Sequence, residues 1–111
     1  MNSLDFYCRF VDRQIETITI QLDTTPRYAK EREAMLQVYT RWREWLNRVE
    51  EGIFEMTEEG TIAMPEEVQH FIHDTKDITA GEESILHYKL RVYGDWIDCV
   101  RDLNKEAQGY Q

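Results

Sequence analysis

The clearest pattern in the chain lies in residues 28–56, which read YAKEREAMLQVYTRWREWLNRVEEGIFEM. Apolar residues recur here at alternating steps of four and three, the spacing that places side chains along one stripe of a helix. With Arg32 as its one charged member, the stripe comprises Tyr28, Met35, Tyr39, Trp42, Leu46, Val49, Ile53 and Met56. Thr25 can cap the helix and Pro26 fits its first turn. The pattern predicts one long central helix over residues 26–57.

The length of this central helix bears on the oligomeric state. At 1.5 Å per residue it reaches about 45 Å, longer than a domain of this size covers on its own. We therefore expect part of it to contact a second copy of the chain or another partner, which predicts a homodimer. The alternative is that the first and last helices cover it completely.

Three shorter patterns predict the remaining helices. Ser3 can cap a first helix, whose apolar stripe runs from Leu4 to Leu22. Pro65 opens a short third helix, and the capping-box spacing of residues 79–82 opens a last one. The last helix is expected to bury Leu86, Leu90, Tyr93, Ile97 and Val100. The sequence thus predicts an all-α fold, a small bundle of about four helices forming a single domain over residues 1–111.

Residues 86–92 carry a second pattern that competes with the helix. Leu86, Tyr88, Leu90 and Val92 alternate with charged or imidazole side chains, which is the period of a half-buried strand, and this strand would end at Gly94. We favour the helix.

Composition and charge limit the function. No apolar run is long enough for a membrane span, and the N-terminus lacks a secretory pattern, so we expect a cytoplasmic protein. The net charge is −9, which argues against direct nucleic-acid binding, because phosphate binding relies on clustered Lys and Arg. Residues 57–111 hold 12 acidic and 5 basic side chains, so a basic protein surface is the expected partner.

The two cysteines and the histidines do not predict a cofactor. Cys8 and Cys99 have no CxxC spacing and fall within helical apolar patterns, so both are expected to be buried thiols. Glu67-x-x-His70 reproduces half of the di-iron carboxylate pattern, but the second ExxH is missing. We predict a solvated helix here, and neither a metal nor another cofactor.

A different set of carboxylates supports an enzyme as the alternative function. Glu55-x-x-Glu58 and Asp74-x-x-Asp77 could hold magnesium against a nucleotide phosphate. The arrangement resembles the all-α nucleotide pyrophosphohydrolases, in which ExxE is followed by ExxD; here Asp74 stands in place of the glutamate of ExxD. No glycine-rich phosphate loop accompanies these residues. We predict that the chain is not an enzyme.

Features typical of binding surfaces are more prominent. Residues 41–48 combine tryptophans and arginines, which dominate interface energies, and Trp45 lies at the edge of the helical stripe. On the last helix, Asp95, Asp98, Asp102 and Glu106 share one face beside Trp96. The predicted partner-binding residues are Trp45, Tyr93, Asp95, Trp96, Asp98 and Asp102.

Residues 91–98 read RVYGDWID and resemble the C-terminal RVYGDxID segment of a small phage-encoded anti-CRISPR family that acts on type I-E systems. That family is helical and dimeric, and it works by occupying the CRISPR helicase-nuclease. The resemblance implies a non-catalytic inhibitor in the host bacterial cytosol that binds a type I CRISPR effector or its helicase-nuclease. A helical dimerisation or adaptor module is a further alternative.

Overall fold

The computed structural model describes residues 2–74 and 83–109, whose four helices confirm the all-α prediction. In chain order they are α1 (Ser3–Thr24), α2 (Ala29–Glu50), α3 (Glu66–Asp74) and α4 (Glu83–Ala107). Helix α2 packs against both α1 and α4, and α3 packs on α4. The buried side chains, except that of Ala34, form one hydrophobic cluster. In the described residues, no helix is long and apolar enough to cross a membrane.

Helix α1 begins one residue away from the predicted cap. Asn2 is the N-cap, and its side-chain oxygen accepts the backbone N–H of Asp5 at 2.8 Å. Ser3 is already helical, and its backbone N–H donates to Glu106 Oε1 at 2.7 Å. The start of α1 is therefore tied to the end of α4.

Helix α2 is shorter than predicted at its N-terminal end. Tyr28 adopts a left-handed conformation (φ 62°), so Thr25 and Pro26 lie in the preceding turn and not at the helix start. The Arg32 side chain donates to the backbone carbonyls of Thr25 and Arg27, at 3.3 and 2.9 Å. This explains the one charge in the predicted stripe, because Arg32 satisfies carbonyls of the turn.

The C-terminal end of α2 also comes early, at Glu50 instead of residue 57. Gly52 has a φ of 79° and donates its N–H to the carbonyl of Val49 at 3.0 Å, while the Ile53 N–H reaches that of Arg48 at 2.8 Å. These two bonds form a Schellman motif, which ends a helix at a left-handed glycine. Ile53 and Met56 consequently leave the stripe and are 59% and 61% exposed.

The shorter α2 removes the length argument for a dimer. Its 22 residues correspond to about 33 Å, and its stripe is buried between α1 and α4. Val38, Trp42 and Leu46 are fully buried. The alternative, in which the first and last helices cover α2, is the arrangement found.

A short hairpin-like loop connects α2 to α3. Met56 and Ile62 form an isolated antiparallel bridge, and the Thr57 N–H donates to the carbonyl of Thr61 at 2.8 Å. Asn104 of α4 fixes this loop, because its side chain bonds both the N–H (2.7 Å) and the carbonyl (3.1 Å) of Ile62.

Helix α4 continues through Gly94, so the strand alternative for residues 86–92 is wrong. The buried face also differs from the predicted stripe, since Leu90 is 47% exposed. Tyr93 and Val100 are buried as predicted, and the other buried positions are Val92, Trp96, Cys99 and Leu103. The predicted capping box at residues 79–82 lies outside the described residues.

Stacked aromatic rings form the centre of the bundle. Trp42 of α2 lies almost parallel to Trp96 of α4, with centroids 5.9 Å apart and an interplanar angle of 11°. Tyr93 stacks on Trp96, and Phe71 of α3 stacks on Tyr93 at 4.1 Å. Offset stacking of this kind stabilises aromatic pairs beyond their burial. These rings connect α2, α4 and α3 through one continuous contact.

Candidate functional site

The acidic residues predicted to share one face of α4 have different roles in its two halves. Asp102 Oδ2 accepts the hydroxyl of Tyr7 at 2.6 Å, and Glu106 accepts the N–H of Ser3. Burial is the main cause, and the hydrogen bond to Asp102 the second, of a Tyr7 pKa well above its usual value. The hydroxyl therefore remains protonated and donates to Asp102. The C-terminal half of the acidic face therefore holds α1 in place.

Asp95 and Asp98 form the other half, and they are not used by the fold in this way. Neither carboxylate has a hydrogen bond or an ion pair within the described part of the chain. Asp98 is exposed and Asp95 is half-buried. Desolvation, and then repulsion from Asp98, raises the pKa of Asp95, while Arg91 one turn earlier acts in the opposite direction. The pair is a local negative charge that no hydrogen bond or ion pair of the described residues offsets, although Arg91 is near enough to act on Asp95.

These two carboxylates border a cavity between α1 and α4. The cavity has a volume of about 170 Å³ and is lined by Phe6, Tyr7, Phe10, Asp95 and Asp98. Phe6 is 50% exposed and stacks on Phe10, with centroids 6.4 Å apart and planes within 13°. We call this the α1–α4 cavity. It combines unpaired negative charge with accessible aromatic surface.

The Phe6–Phe10 pair, which we call the aromatic ridge, has positive charge on its other side. A second cavity, of about 330 Å³, is lined by Phe6, Arg9, Phe10 and Arg13. Arg9 makes one exposed ion pair with Asp5, at 3.6 Å. The ridge thus separates an acidic cavity from a basic one.

The three aromatic residues predicted to contact a partner are buried in the core instead. Trp45, Tyr93 and Trp96 are 6%, 5% and 2% exposed. The Tyr93 hydroxyl donates to Glu67 at 2.8 Å, and Glu67 also binds Arg41 at 2.6 Å. This burial argues against partner contact through these rings: on α4, Trp96 packs against Trp42 and Trp45 of α2, and Tyr93 packs against Phe71 of α3. Of the predicted set, Asp95 and Asp98 remain available, while Asp102 is bonded to Tyr7.

The edge of Trp45 does line a larger cavity at the end of α2. This cavity, of about 410 Å³, is bordered by Trp45, Arg48, Phe54 and Met64, among others. Ile53, which is more than half exposed, lies at the same place. This cavity at the end of α2 is an apolar groove with charges of both signs on its rim. Its described lining residues include no pair of like charges comparable to Asp95 and Asp98.

The alternative metal patterns are not assembled in the described residues. Glu55 and Glu58 lie in the loop after α2 and not on a helix, and Asp77 is outside the described range. Glu67 is bonded to Arg41 and Tyr93, and His70 is exposed beside Glu66. Within the described ranges, no group of three or more His, Cys, Asp or Glu side chains is placed to hold a metal.

Both cysteines are free and buried, as predicted. The Cys8 thiol donates to Glu50 at 3.0 Å, and Arg43 approaches its sulfur at 3.2 Å. Burial and the bond to Glu50 outweigh Arg43 and raise the pKa of Cys8 to about 12; burial raises that of Cys99 to about 12 as well. Since the thiolate is the nucleophilic form, these groups suit packing and not catalysis.

The aromatic residues that line the α1–α4 cavity, Phe6, Tyr7 and Phe10, were not among the predicted site residues. Phe6 and Phe10 are four residues apart and lie beside the Leu4–Cys8–Val11 stripe, a spacing that puts two rings on one flank of α1. That spacing was the available signal, but it did not reveal which helix would face the rings. Comparison with protein families, curated proteins and solved structures found no match to this chain.

Proposed function

We propose that this chain is a non-catalytic inhibitor that binds a basic protein surface through the α1–α4 cavity and the aromatic ridge. The observation that carries the proposal is the pair Asp95 and Asp98, two unpaired carboxylates beside the half-exposed Phe6 ring. Its proposed target is a type I CRISPR effector or the associated helicase-nuclease, encountered in the host bacterial cytosol.

The energetics of interfaces support this use of the face. A few residues, chiefly aromatic side chains and arginines buried in pockets, dominate the binding energy at protein interfaces. Phe6 supplies an exposed ring, and Asp95 supplies a carboxylate that is already partly desolvated. The net charge of −9 would also accelerate the encounter with a basic partner.

The proposed target rests on the RVYGDWID resemblance, and the positions of these side chains refine it. Val92, Tyr93 and Trp96 of that segment are core residues, so packing alone accounts for them. Asp95 and Asp98 are the members that border the α1–α4 cavity. Arg91 and Gly94 of the segment are also exposed, but the acidic pair is the part that borders the cavity, and we propose that it contacts the target.

The absence of catalysis is part of the same proposal. The two cysteines are held as protonated thiols, and Glu67 is bonded to Arg41 and Tyr93. A binding surface needs none of these groups to be reactive. The mechanism proposed is occupation of a basic groove that the effector requires for its own activity.

Co-elution tests the proposal. The chain is mixed at moderate salt with a purified type I effector complex and, separately, with the helicase-nuclease. We expect it to co-elute with at least one of them, and we expect the Asp95→Arg/Asp98→Arg variant to elute alone. The matched control is Glu33→Arg/Glu44→Arg, which reverses two exposed charges on α2 and should still co-elute. Absence of binding to both targets would refute the proposal.

A further inference from the structure

We infer that the α1–α4 cavity is a binding site for a single arginine side chain of the partner protein. This inference rests on the proposed function, because it specifies the chemistry that the face recognises.

The carboxylates provide the charge. Asp95 and Asp98 lie three residues apart on α4, so they project from adjacent turns of the same face. Asp95 has lost part of its hydration and is repelled by Asp98. An entering cation would relieve that repulsion and gain charge-assisted hydrogen bonds, and a guanidinium can donate to carboxylates through two parallel N–H groups.

The rings provide the selectivity for arginine. Phe6 and Phe10 are nearly parallel, and Tyr7 meets Phe6 edge-on at 5.1 Å between centroids. A guanidinium is planar and weakly hydrated, so it can lie flat on an aromatic face while its N–H groups point outward. A lysine ammonium is compact and strongly hydrated, and it gains less from the same surface.

The size of the cavity suits one side chain. Pockets that enclose whole small molecules usually have volumes of about 300–1,000 Å³. The α1–α4 cavity, at about 170 Å³, is smaller than that and opens to solvent between two helices. It can therefore receive a side chain that projects from another protein surface.

Among the described residues, no arginine of this chain forms an ion pair with the carboxylates of the cavity. Arg91 acts on the charge of Asp95 but is not within ion-pair distance of it in the described structure. Arg9 pairs with Asp5, on the other side of the aromatic ridge. A second copy could in principle supply Arg9 or Arg13, but two chains of charge −9 repel each other. We therefore assign the arginine to a different, basic protein.

An NMR titration of the whole chain tests the inference. The probes are N-acetyl-arginine methylamide and the corresponding lysine and citrulline compounds, the last being neutral but similar in shape. We expect the arginine probe to shift the amide signals of Phe6, Phe10, Asp95 and Asp98. It should bind roughly fivefold more tightly than lysine, because stacking and paired hydrogen bonds favour the guanidinium. Citrulline should not bind.

Equal affinity for arginine and lysine would overturn the selectivity, and shifts confined to other residues would overturn the site. Asp95→Asn/Asp98→Asn should abolish the shifts, and Phe6→Leu should weaken binding about fivefold through the lost stacking. Phe6 is half exposed, so the fold should survive this change. The control Glu33→Gln/Glu44→Gln should bind as the unchanged chain does.

The outcomes for this site and for the proposed function can be separated. If the effector co-elutes but the arginine probe does not bind, the arginine inference is wrong and the proposed function stands. If the probe binds but no effector co-elutes, the site stands and the proposed target is wrong. Light scattering that shows a dimer, dissociated by Arg9→Glu/Arg13→Glu, would overturn the assignment of the arginine to another protein.

Discussion

Asp95 and Asp102 are the same residue type on the same face of α4, two turns apart, yet the fold uses them differently. Asp102 accepts the Tyr7 hydroxyl and so joins α4 to α1. Asp95 has no such bond, and desolvation raises its pKa. The sequence identified both as candidate contacts, because spacing places residues on a face without showing what the neighbouring helix contributes.

We expect Asp102→Ala to lower the free energy of unfolding by about 1–3 kcal/mol, the range for losing a hydrogen bond to a charged group. Asp95→Asn should not lower it. A raised pKa means that the folded state binds the proton more tightly than the unfolded state, so ionised Asp95 opposes folding as the pH rises above that pKa. Urea unfolding at neutral pH measures both. An equal loss of stability in the two variants would contradict this account.

The cysteines give a second prediction at this scale. Because the pKa of each thiol is raised to about 12, hardly any thiolate exists at pH 8, and both side chains are buried. A disulfide reagent such as DTNB should react with the native chain far more slowly than with the urea-unfolded chain. A thiol that reacts at the same rate in both states would show that its burial is overstated.

At the scale of the elements, the hydrophobic period predicted the helices but not the end of α2. Ile53 and Met56 continue the four-three spacing past Gly52, so the pattern extended the helix to residue 57. The local backbone preference of Gly52 overrides that spacing. The period also could not orient α4, since the face that becomes buried depends on the stacking of Trp96 against Trp42.

Two glycines allow a matched test of these elements. Gly52→Ala should destabilise the chain by about 1–2 kcal/mol, because the Cβ of alanine is sterically disfavoured in the left-handed conformation of residue 52. Gly94→Ala should stabilise it by about 0.5–1 kcal/mol, because Gly94 lies inside a helix. An added Cβ meets nothing within 4 Å at either position, so packing does not confuse the comparison. Thermal unfolding monitored by circular dichroism measures both stability changes. If the two variants change stability in the same direction, the left-handed end of α2 at Gly52 or the helical position of Gly94 is wrong.

At the scale of the molecule, the proposed binding face borders the core directly, because Tyr7 and Phe10 line the α1–α4 cavity and also contact Trp42. The ring series through Trp42, Trp96 and Tyr93 occupies the interior. Phe6 and Asp98 lie on the outside where α1 meets α4, whereas Phe10 and Asp95 are half-buried. Composition predicted an aromatic-rich, acidic surface, but only the packing of α1 on α4 shows which rings are accessible.

Trp96→Phe distinguishes a core role from a contact role. Because Trp96 is 2% exposed, its loss should cost stability, by about 1–3 kcal/mol as for a core truncation, while target binding at low temperature should be unchanged. Phe6→Ala should show the reverse, with weaker binding and nearly unchanged stability. Calorimetric titration measures binding and thermal unfolding measures stability for both variants. If Trp96→Phe is folded but does not bind the target, Trp96 is a contact residue.

The most direct measurement of the central claim is the affinity of the CRISPR effector, or of its helicase-nuclease, for the Asp95→Asn/Asp98→Asn variant. We expect the affinity to fall at least tenfold relative to the unchanged chain, about 1.4 kcal/mol or more, with no loss of thermal stability. The loss should shrink as salt rises, because the missing contacts are charged. An affinity equal to that of the unchanged chain and of the Glu33→Gln/Glu44→Gln control would contradict the claim that this acidic pair forms the binding site.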